Sequence, residues 1–286
     1  MPNSAHAQWL DPALYEAAHM ALAGGKQQEQ SLAVNAAING LQPHDLWQQN
    51  SAALMNRVDT KYMLPLSVFE ELLAALSQEY TVLAQQGTRI FSYETTYFDT
   101  VHQQFYLAHH NGKLNRHKVR FRRYVQFNRG FMEVKLKNNK RRTIKKRVPM
   151  DCQLPDEHKV NGFVKDCIGE DAAKLQTSLF VNYRRITLLN KNRPERLTID
   201  LDLSFQCAKT GQSNMLDDVF IVELKREGKL QESSFSHWLS DKNIKPIKFS
   251  KYCMGMVLTH DRNLKKNRFK STISQLSKIT GVAPWN

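Results

Sequence analysis

The sequence predicts an α+β domain built on an antiparallel barrel or sandwich with flanking helices. Three observations carry that prediction. Short segments rich in aromatic and β-branched residues recur along the chain. Turn-forming residues separate them at close spacing, as at Asn128-Arg129-Gly130 and Asn192-Arg193-Pro194. Helical periodicity is confined to a few short stretches. Many strands joined by tight turns, with few helices, favour antiparallel pairing.

The elements follow in order. Trp9, Leu10, Leu14, Ala17, Met20 and Ala21 fall at helical spacing, and Gly24-Gly25 ends that pattern. A Gln-rich segment follows, as a linker or a second helix. "RVDTKYML" (57–64) alternates as a strand, Pro65 breaks it, and 67–76 is a helix with Ser67 as its N-cap. Residues 89–100 form a strand and 101–112 contain a short helix stopped by Asn111-Gly112. A dense β region follows, with strands at 117–127, 131–137 and 142–148 turning at Asn128-Gly130 and Asn138-Asn139. A short helix lies near 156–168, then strands at 179–189, 195–206 and 218–226. Helices at 232–240 and 250–260 close the reading. Residues 1–50 read as an N-terminal helical extension, 51–260 as the main domain and 261–286 as a loosely held basic tail.

With 286 residues there is ample material for a core, and the formal charge of +14 points to polyanionic partners. No apolar run reaches the length needed to span a bilayer. Asp11 and Glu16 fall where a signal peptide would be apolar. The four cysteines, Cys152, Cys167, Cys207 and Cys253, form no CxxC pair and read as reduced thiols of a cytoplasmic protein. The histidines show no metal-ligand spacing, and His109-His110, beside a helix stop, is assigned no chemical role.

The strands carry the functional signal. Residues two apart on a strand share a face. In "KVRFRRY", Lys118, Arg120 and Arg122 alternate with Val119 and Phe121. The same register yields Arg57, Asp59 and Lys61; Glu133, Lys135 and Lys137; and Thr143, Lys145 and Arg147. It continues with Tyr183 and Arg185; Arg196, Thr198, Asp200 and Asp202; and Glu223 and Lys225. For one strand a solvated face is the ordinary explanation. Repetition weighs against it, because like charges on neighbouring strands repel unless an anion lies among them. The interleaved acids Glu133 and Glu223 would repel phosphate unless a divalent cation stood between. Acid and base on one face therefore suit a metal–polyphosphate site.

These segments resemble a known family. "RVDTKY" (57–62), "TTYFDT" (95–100), "KVRFRRY" (118–124), "MEVKLK" (132–137), "RLTIDLDLS" (196–204), "IVELKRE" (221–227) and "KFSKYCMGM" (248–256) resemble, in order, the motifs of the VTC domain. That domain is the polyphosphate-polymerase branch of the triphosphate tunnel metalloenzymes, relatives of the CYTH enzymes. The resemblance covers about residues 50–260 and implies a closed antiparallel β-tunnel that binds a nucleotide triphosphate with a divalent metal, Mn²⁺ or Mg²⁺. It implies an ATP–polyphosphate phosphotransferase, which moves the γ-phosphoryl of ATP onto inorganic polyphosphate.

By position, the resemblance places Lys61, Lys118, Lys137, Lys145, Tyr183, Arg196 and Ser250 on substrate phosphates. It places Arg120, Arg122, Lys135, Arg185 and Lys251 at the reacting groups, and Glu223 and Glu133 on the metal. Lys137 stands where a histidine can occur, and Asp59 where CYTH relatives carry a longer acid, which favours a single-metal site. The sequence shows no evident SPX-type domain and no membrane helices, so translocation of a product across a membrane would need a membrane-protein partner. The expected location is the cytoplasm, at most peripheral to the membrane's inner face. Three rival readings are a triphosphatase, a polyphosphate-binding module without catalysis, and a nucleic-acid-binding β-platform. The last needs exposed aromatics among the cations, and Phe121 and Val119 fall on the opposite face, so no nucleic-acid partner is expected.

Overall fold

The computed structural model describes residues 17–20, 27–51, 57–140, 142–152, 156–227, 232–260 and 263–281. The expected helix around Trp9 and Leu14 and the Gly24-Gly25 stop lie outside those residues. In chain order the strands are β1 (Pro43–His44), β2 (Arg57–Pro65), β3 (Tyr80–Leu83), β4 (Phe91–Thr100), β5 (Arg116–Tyr124) and β6 (Arg129–Lys137). They continue with β7 (Thr143–Met150), β8 (Leu175–Asn190), β9 (Glu195–Cys207), β10 (Ser213–Leu216) and β11 (Val219–Glu227). The helices are α1 (Gln27–Asn39), α2 (Leu46–Ser51), α3 (Phe69–Leu76) and α4 (Gln104–His110). After them come α5 (Glu157–Ile168), α6 (Ser234–Asp241), α7 (Lys251–Thr259) and α8 (Lys270–Thr280).

The expected α+β class, with an antiparallel sheet and flanking helices, is present. The main path runs β2-β11-β9-β8-β4-β5-β6-β7, and every step in it is antiparallel. Among the described residues its end strands, β2 and β7, share no ladder. The sheet is nonetheless rolled. β2 and β5 stand five steps apart, roughly 24 Å if the sheet were flat. Yet Lys61 Nζ donates to the Phe249 carbonyl at 3.2 Å and Lys118 Nζ to the adjacent Ser250 Oγ at 2.9 Å. Only strong curvature brings those two strands to neighbouring residues.

Apolar alternation explains what covers the roll. Leu197, Ile199, Leu201, Val222 and Leu224 bury one face against α1, α3 and α6, which contribute Ile38, Leu72, Leu76, Phe235 and Trp238. Val119, Phe121, Met132 and Val134 continue that face under α5, through Val160 and Val164. A third cluster joins Tyr97, Tyr183, Leu203 and Ile221 to Tyr252 and Met256 of α7 and to Ile273 and Leu276 of α8. So α7 lies over the apolar part of the face that also carries the charges, and its N-terminus meets the polar part.

Three expectations are corrected, and one alternative is settled. Ser67 does not cap a helix: it lies in a 3-10 turn at 66–68, and Val68 precedes α3 without a side-chain cap. Asp202 leaves the charged register. Its φ of 51° puts it in the left-handed region next to an irregularity between Asn182 and Arg184, and it pairs with Arg184. Within the expected loose tail, residues 270–280 are instead helical, because Ile273, Leu276 and Ile279 fall at helical spacing and dock α8 on the third cluster. The Gln-rich segment is helical, as α1, and its Val34 and Ile38 are buried.

Candidate functional site

Pairing register builds the site. On β5 and β6, Lys118 faces Lys135 and Arg120 faces Glu133, while β7 sets Lys145 beside Lys135 and Arg147 beside Glu133. On the other wall Glu223 of β11 lies between Lys61 of β2 and Thr198 of β9, and Lys225 lies between Asp59 and Arg196. Arg185 of β8 faces Asp200. One side of the rolled sheet thus collects charge from seven strands, as the alternating registers require.

Three ion-pair groups organise it. Glu133, fully buried, accepts from Arg120 Nε at 2.7 Å and Nη2 at 2.5 Å and is also paired with Lys145. Asp200 takes a bidentate grip from Arg185, at 2.6 and 2.9 Å, and pairs with Lys251 at the first turn of α7. Glu223 lies 2.6 Å from Lys225 and 3.7 Å from Lys61, and Lys225 is 3.7 Å from Asp59. Ser250 caps α7 by accepting from the Cys253 amide and also accepts from Lys118.

An aromatic floor supports the cations. Tyr93 and Tyr183 stack with centroids 5.1 Å apart and an interplanar angle of 3°. Arg122 and Arg185 lie over both rings at 5.3–5.8 Å, and Lys251 lies 4.4 Å from the Tyr183 centroid. Arg120 stands over Tyr97 and donates to its hydroxyl at 3.3 Å.

The electrostatics are unbalanced. Lys61, Lys118, Arg120, Arg122, Lys135, Lys145, Arg185, Lys225 and Lys251 face four carboxylates, Asp59, Glu133, Asp200 and Glu223. Burial pushes the Lys118 and Lys251 ammonium groups down to about 8, partly offset by Asp200 for Lys251. The neighbouring Arg120, then burial, then Arg122 hold Lys135 well below the usual lysine value. Burial alone would raise the carboxyls of Glu133, Asp200 and Glu223, but the adjacent cations outweigh it and hold all three low. Several buried polar atoms have no partner: Arg122 Nε, Tyr183 Oη, Thr95 Oγ1 and Thr198 Oγ1. Buried polar groups are ordinarily satisfied, so these orphans and the surplus cations suit an anionic, oxygen-rich ligand.

For a metal the donor set is sparse. Among the described residues no group of three or more His, Cys, Asp or Glu side chains gathers into a cage. Glu133, expected on the metal with Glu223, is enclosed by Arg120 and Lys145, so Glu223 and Asp59, which both contact Lys225, are the acids left to share a hard cation with substrate oxygens.

The structure brings together Lys61, Lys118, Arg120, Arg122, Glu133, Lys135, Lys145, Tyr183, Arg185, Glu223, Ser250 and Lys251 from the sequence-derived set. Lys137 ends β6 opposite Thr143, and Arg196 lies near the start of β9 opposite Lys225, both at the margins. The Arg57 side chain lies outside the described residues. Sequence reasoning missed the floor residues Tyr93 and Tyr97, although Tyr93, Thr95 and Tyr97 alternate along β4 in the usual period of two. It recorded Asp200 in the register but gave it no role. His109 was also passed over. Its Nδ1 accepts from Arg116 Nε at 3.2 Å, and burial followed by the charges of Lys118, Arg116 and Lys61 lowers its pKa, so it stands neutral beside the cations.

The VTC domain family model matches residues 56–260. No curated protein matches the chain. Among solved structures, a putative adenylyl cyclase from Hippeastrum with a dominant triphosphatase activity is 14% identical, covering 76% of this chain and 96% of its own, at a TM-score of 0.41. A putative adenylate cyclase from Bacillus halodurans is 12% identical, covering 68% and 94%, at a TM-score of 0.44. One from Vibrio parahaemolyticus is 11% identical, covering 70% and 97%, at a TM-score of 0.40.

Proposed function

The chain belongs to the VTC domain family, and from that premise we propose that it transfers the γ-phosphoryl of ATP to the end of a polyphosphate chain. The family acts on triphosphates and generally uses a divalent metal. The observation that carries the proposal is the buried convergence of cations and unpartnered polar atoms on one face of the rolled sheet.

On this reading Arg120, Arg122, Lys135 and Arg185 clamp the β and γ groups, and guanidinium geometry suits phosphate oxygens. Lys61, Lys118, Lys145, Tyr183, Ser250 and, at the margins, Lys137 and Arg196 hold the rest of the phosphate chain. Lys251, seated on Asp200 and Tyr183, steadies the transferring phosphoryl. Glu133 and Asp200 act as counter-ions that fix Arg120, Lys145, Arg185 and Lys251 in place. Glu223 and Asp59 would hold Mn²⁺ or Mg²⁺, which supplies charge neutralisation at the β and γ oxygens. A terminal phosphate oxygen of the acceptor bonds to the γ phosphorus as the bond to the β–γ bridging oxygen breaks, and ADP departs.

One feature favours transfer over hydrolysis. Glu133, Asp200 and Glu223 are all held well below the usual carboxylate range, which makes them weak bases. An anionic phosphate end needs no base, so transfer does not call on these acids. Incubating the protein with ATP and Mn²⁺ and resolving the products tests this. ADP with polymer is expected; free phosphate without polymer would instead establish a triphosphatase.

A further inference from the structure

The charged face of β5 and β6 changes character along its length. Register pairs Lys118 with Lys135, Arg120 with Glu133, Arg122 with Phe131, and Tyr124 of β5 with Tyr93 of β4. Directly paired residues share a face, and so do residues two apart on a strand. Tyr124 and Phe131 therefore stand on the charged side of the roll, just past Arg122. The rings form a continuous row. Tyr183 lies 5.1 Å from Tyr93, Tyr93 lies 4.9 Å from Tyr124, and Tyr124 lies 5.7 Å from Phe131, centroid to centroid. Arg147 of β7 lies over Phe131 at 4.8 Å. Exposure rises along the row. Tyr183 is buried, Tyr93, Tyr124 and Phe131 are half-buried, and Arg147 is exposed.

Two features argue against a rim that merely packs. Tyr124 and Phe131 belong to none of the three apolar clusters. Arg122, on the border between cations and rings, is 7% exposed, and its Nε has no partner. Buried donors are ordinarily satisfied, so this one suits a ligand oxygen at the point where charge gives way to rings.

The change of character says what kind of ligand fits. A linear polyphosphate is charged along its whole length and gains nothing from rings. A nucleoside triphosphate is charged at one end and flat at the other. Arg120 and Tyr124 lie four residues apart on β5, roughly 13 Å. That leaves room for an α-phosphate and a pentose between a β-phosphate at Arg120 and a base at Tyr124. We propose that Tyr124, Phe131 and Arg147 form the nucleobase subsite of the donor. This rests on the reading that the roll takes ATP, and it adds where the base lies and how it is held. Phe131 holds one side of the Arg147 guanidinium, whose other, exposed side stacks on the base. Tyr124 supplies a second aromatic surface. Rings and a guanidinium read the face of a base and not its edges, so recognition here is by stacking.

The test measures binding of tripolyphosphate and of a β,γ-imido analogue of ATP, both with Mn²⁺, to wild type, Tyr124→Leu/Phe131→Leu and Arg147→Lys. Each ligand is compared only with itself across the proteins. Leucine keeps apolar bulk and removes the ring; lysine keeps the charge and removes the plane. Thermal unfolding checks folding, and Arg147→Lys, at an exposed position, decides the matter if the double variant does not fold. Affinity for the ATP analogue should fall about tenfold or more in the double variant and about threefold in Arg147→Lys. Tripolyphosphate should bind all three proteins within about twofold. Tyr124→Phe, which keeps the ring, should bind the analogue as wild type does. An unchanged affinity for the analogue, or an equal loss for both ligands, overturns the subsite. Loss of binding to a single-stranded oligonucleotide with analogue affinity intact also overturns it and assigns the rings to nucleic acid. If wild type binds the analogue but not tripolyphosphate, the phosphate reading of the roll fails and the analogue alone judges the subsite. If wild type binds neither, both readings fail.

Discussion

Single residues divide into those that hold the site and those that face its ligand. Arg122 stacks on Tyr93 and Tyr183, and its charge on the buried Glu133 is backed by Arg120 and Lys145; Lys251 shares Asp200 with Arg185. Arg122→Ala and Lys251→Ala should therefore stay folded while turnover falls on the order of 10²-fold. Steady-state assays with ATP and Mn²⁺, beside circular dichroism, check this. Arg120→Ala is a poorer probe, because it takes the bidentate partner from a fully buried Glu133, a loss of roughly 3–5 kcal/mol. Protonation gives a second prediction. Lys118 and Lys251 titrate at about 8 in the free protein, so they are charged at pH 7 and largely neutral at pH 9. Tripolyphosphate binding should weaken over that interval, and at pH 8 binding should take up protons. Calorimetry in buffers of different ionisation enthalpy reads both effects. The residues legible in the sequence were those with a charge in an alternating pattern. Tyr93 and Tyr97 were missed because an aromatic in a strand is equally at home in a core, and only the rolled geometry separates the two.

At the scale of elements, α7 sets the chemistry by where it sits. Gly255 lets it lie against β8 and β9: a Cβ there would come within 2.5 Å of Leu179 Cδ2 and 2.6 Å of Phe205 Cδ1. Gly255→Ala should cost about 1–3 kcal/mol by overpacking. It should also lower turnover, because Ser250 and Lys251 ride on the same helix. Chemical denaturation with parallel kinetics tests the pair of effects; full activity in a destabilised variant would separate α7 packing from the site. Most strands and helices were legible, since their polar and apolar residues alternate with the right period. β1, β3 and β10 were not, being two to four residues long and too short for any period to show. Ser67 misled because a good capping residue was present, but the chain takes a 3-10 turn there first. The docking of α8 was masked by its lysines, which outweigh three apolar residues in a linear reading.

For the whole molecule, the free protein bears the cost of an unneutralised interior. Lysines whose folded values lie below the unfolded value of about 10.4 bind fewer protons folded than unfolded between pH 8 and 10. The sign follows: stability of the ligand-free fold should rise with pH across that window, by up to ~1.4 kcal/mol per lysine per pH unit. Urea denaturation at pH 7.5 and 9.5 measures it, and a fall in that interval would contradict the buried-cation account. The sequence showed the antiparallel class and the charged face, because both are local patterns repeated along the chain. The roll was not readable from the patterns alone. It depends on contacts such as those of Lys61 and Lys118 with Phe249 and Ser250, nearly two hundred residues apart in the first case.

The central claim is that these registers converge on a phosphate chain. A crystal structure with tripolyphosphate and Mn²⁺ tests it most directly. The account expects phosphate oxygens within hydrogen-bonding reach of Arg122, Lys135, Arg185 and Lys251, with Tyr183 Oη and Thr95 Oγ1 gaining partners. Tripolyphosphate ordered only on the outer surface, with the interior of the roll filled by water alone, would contradict it.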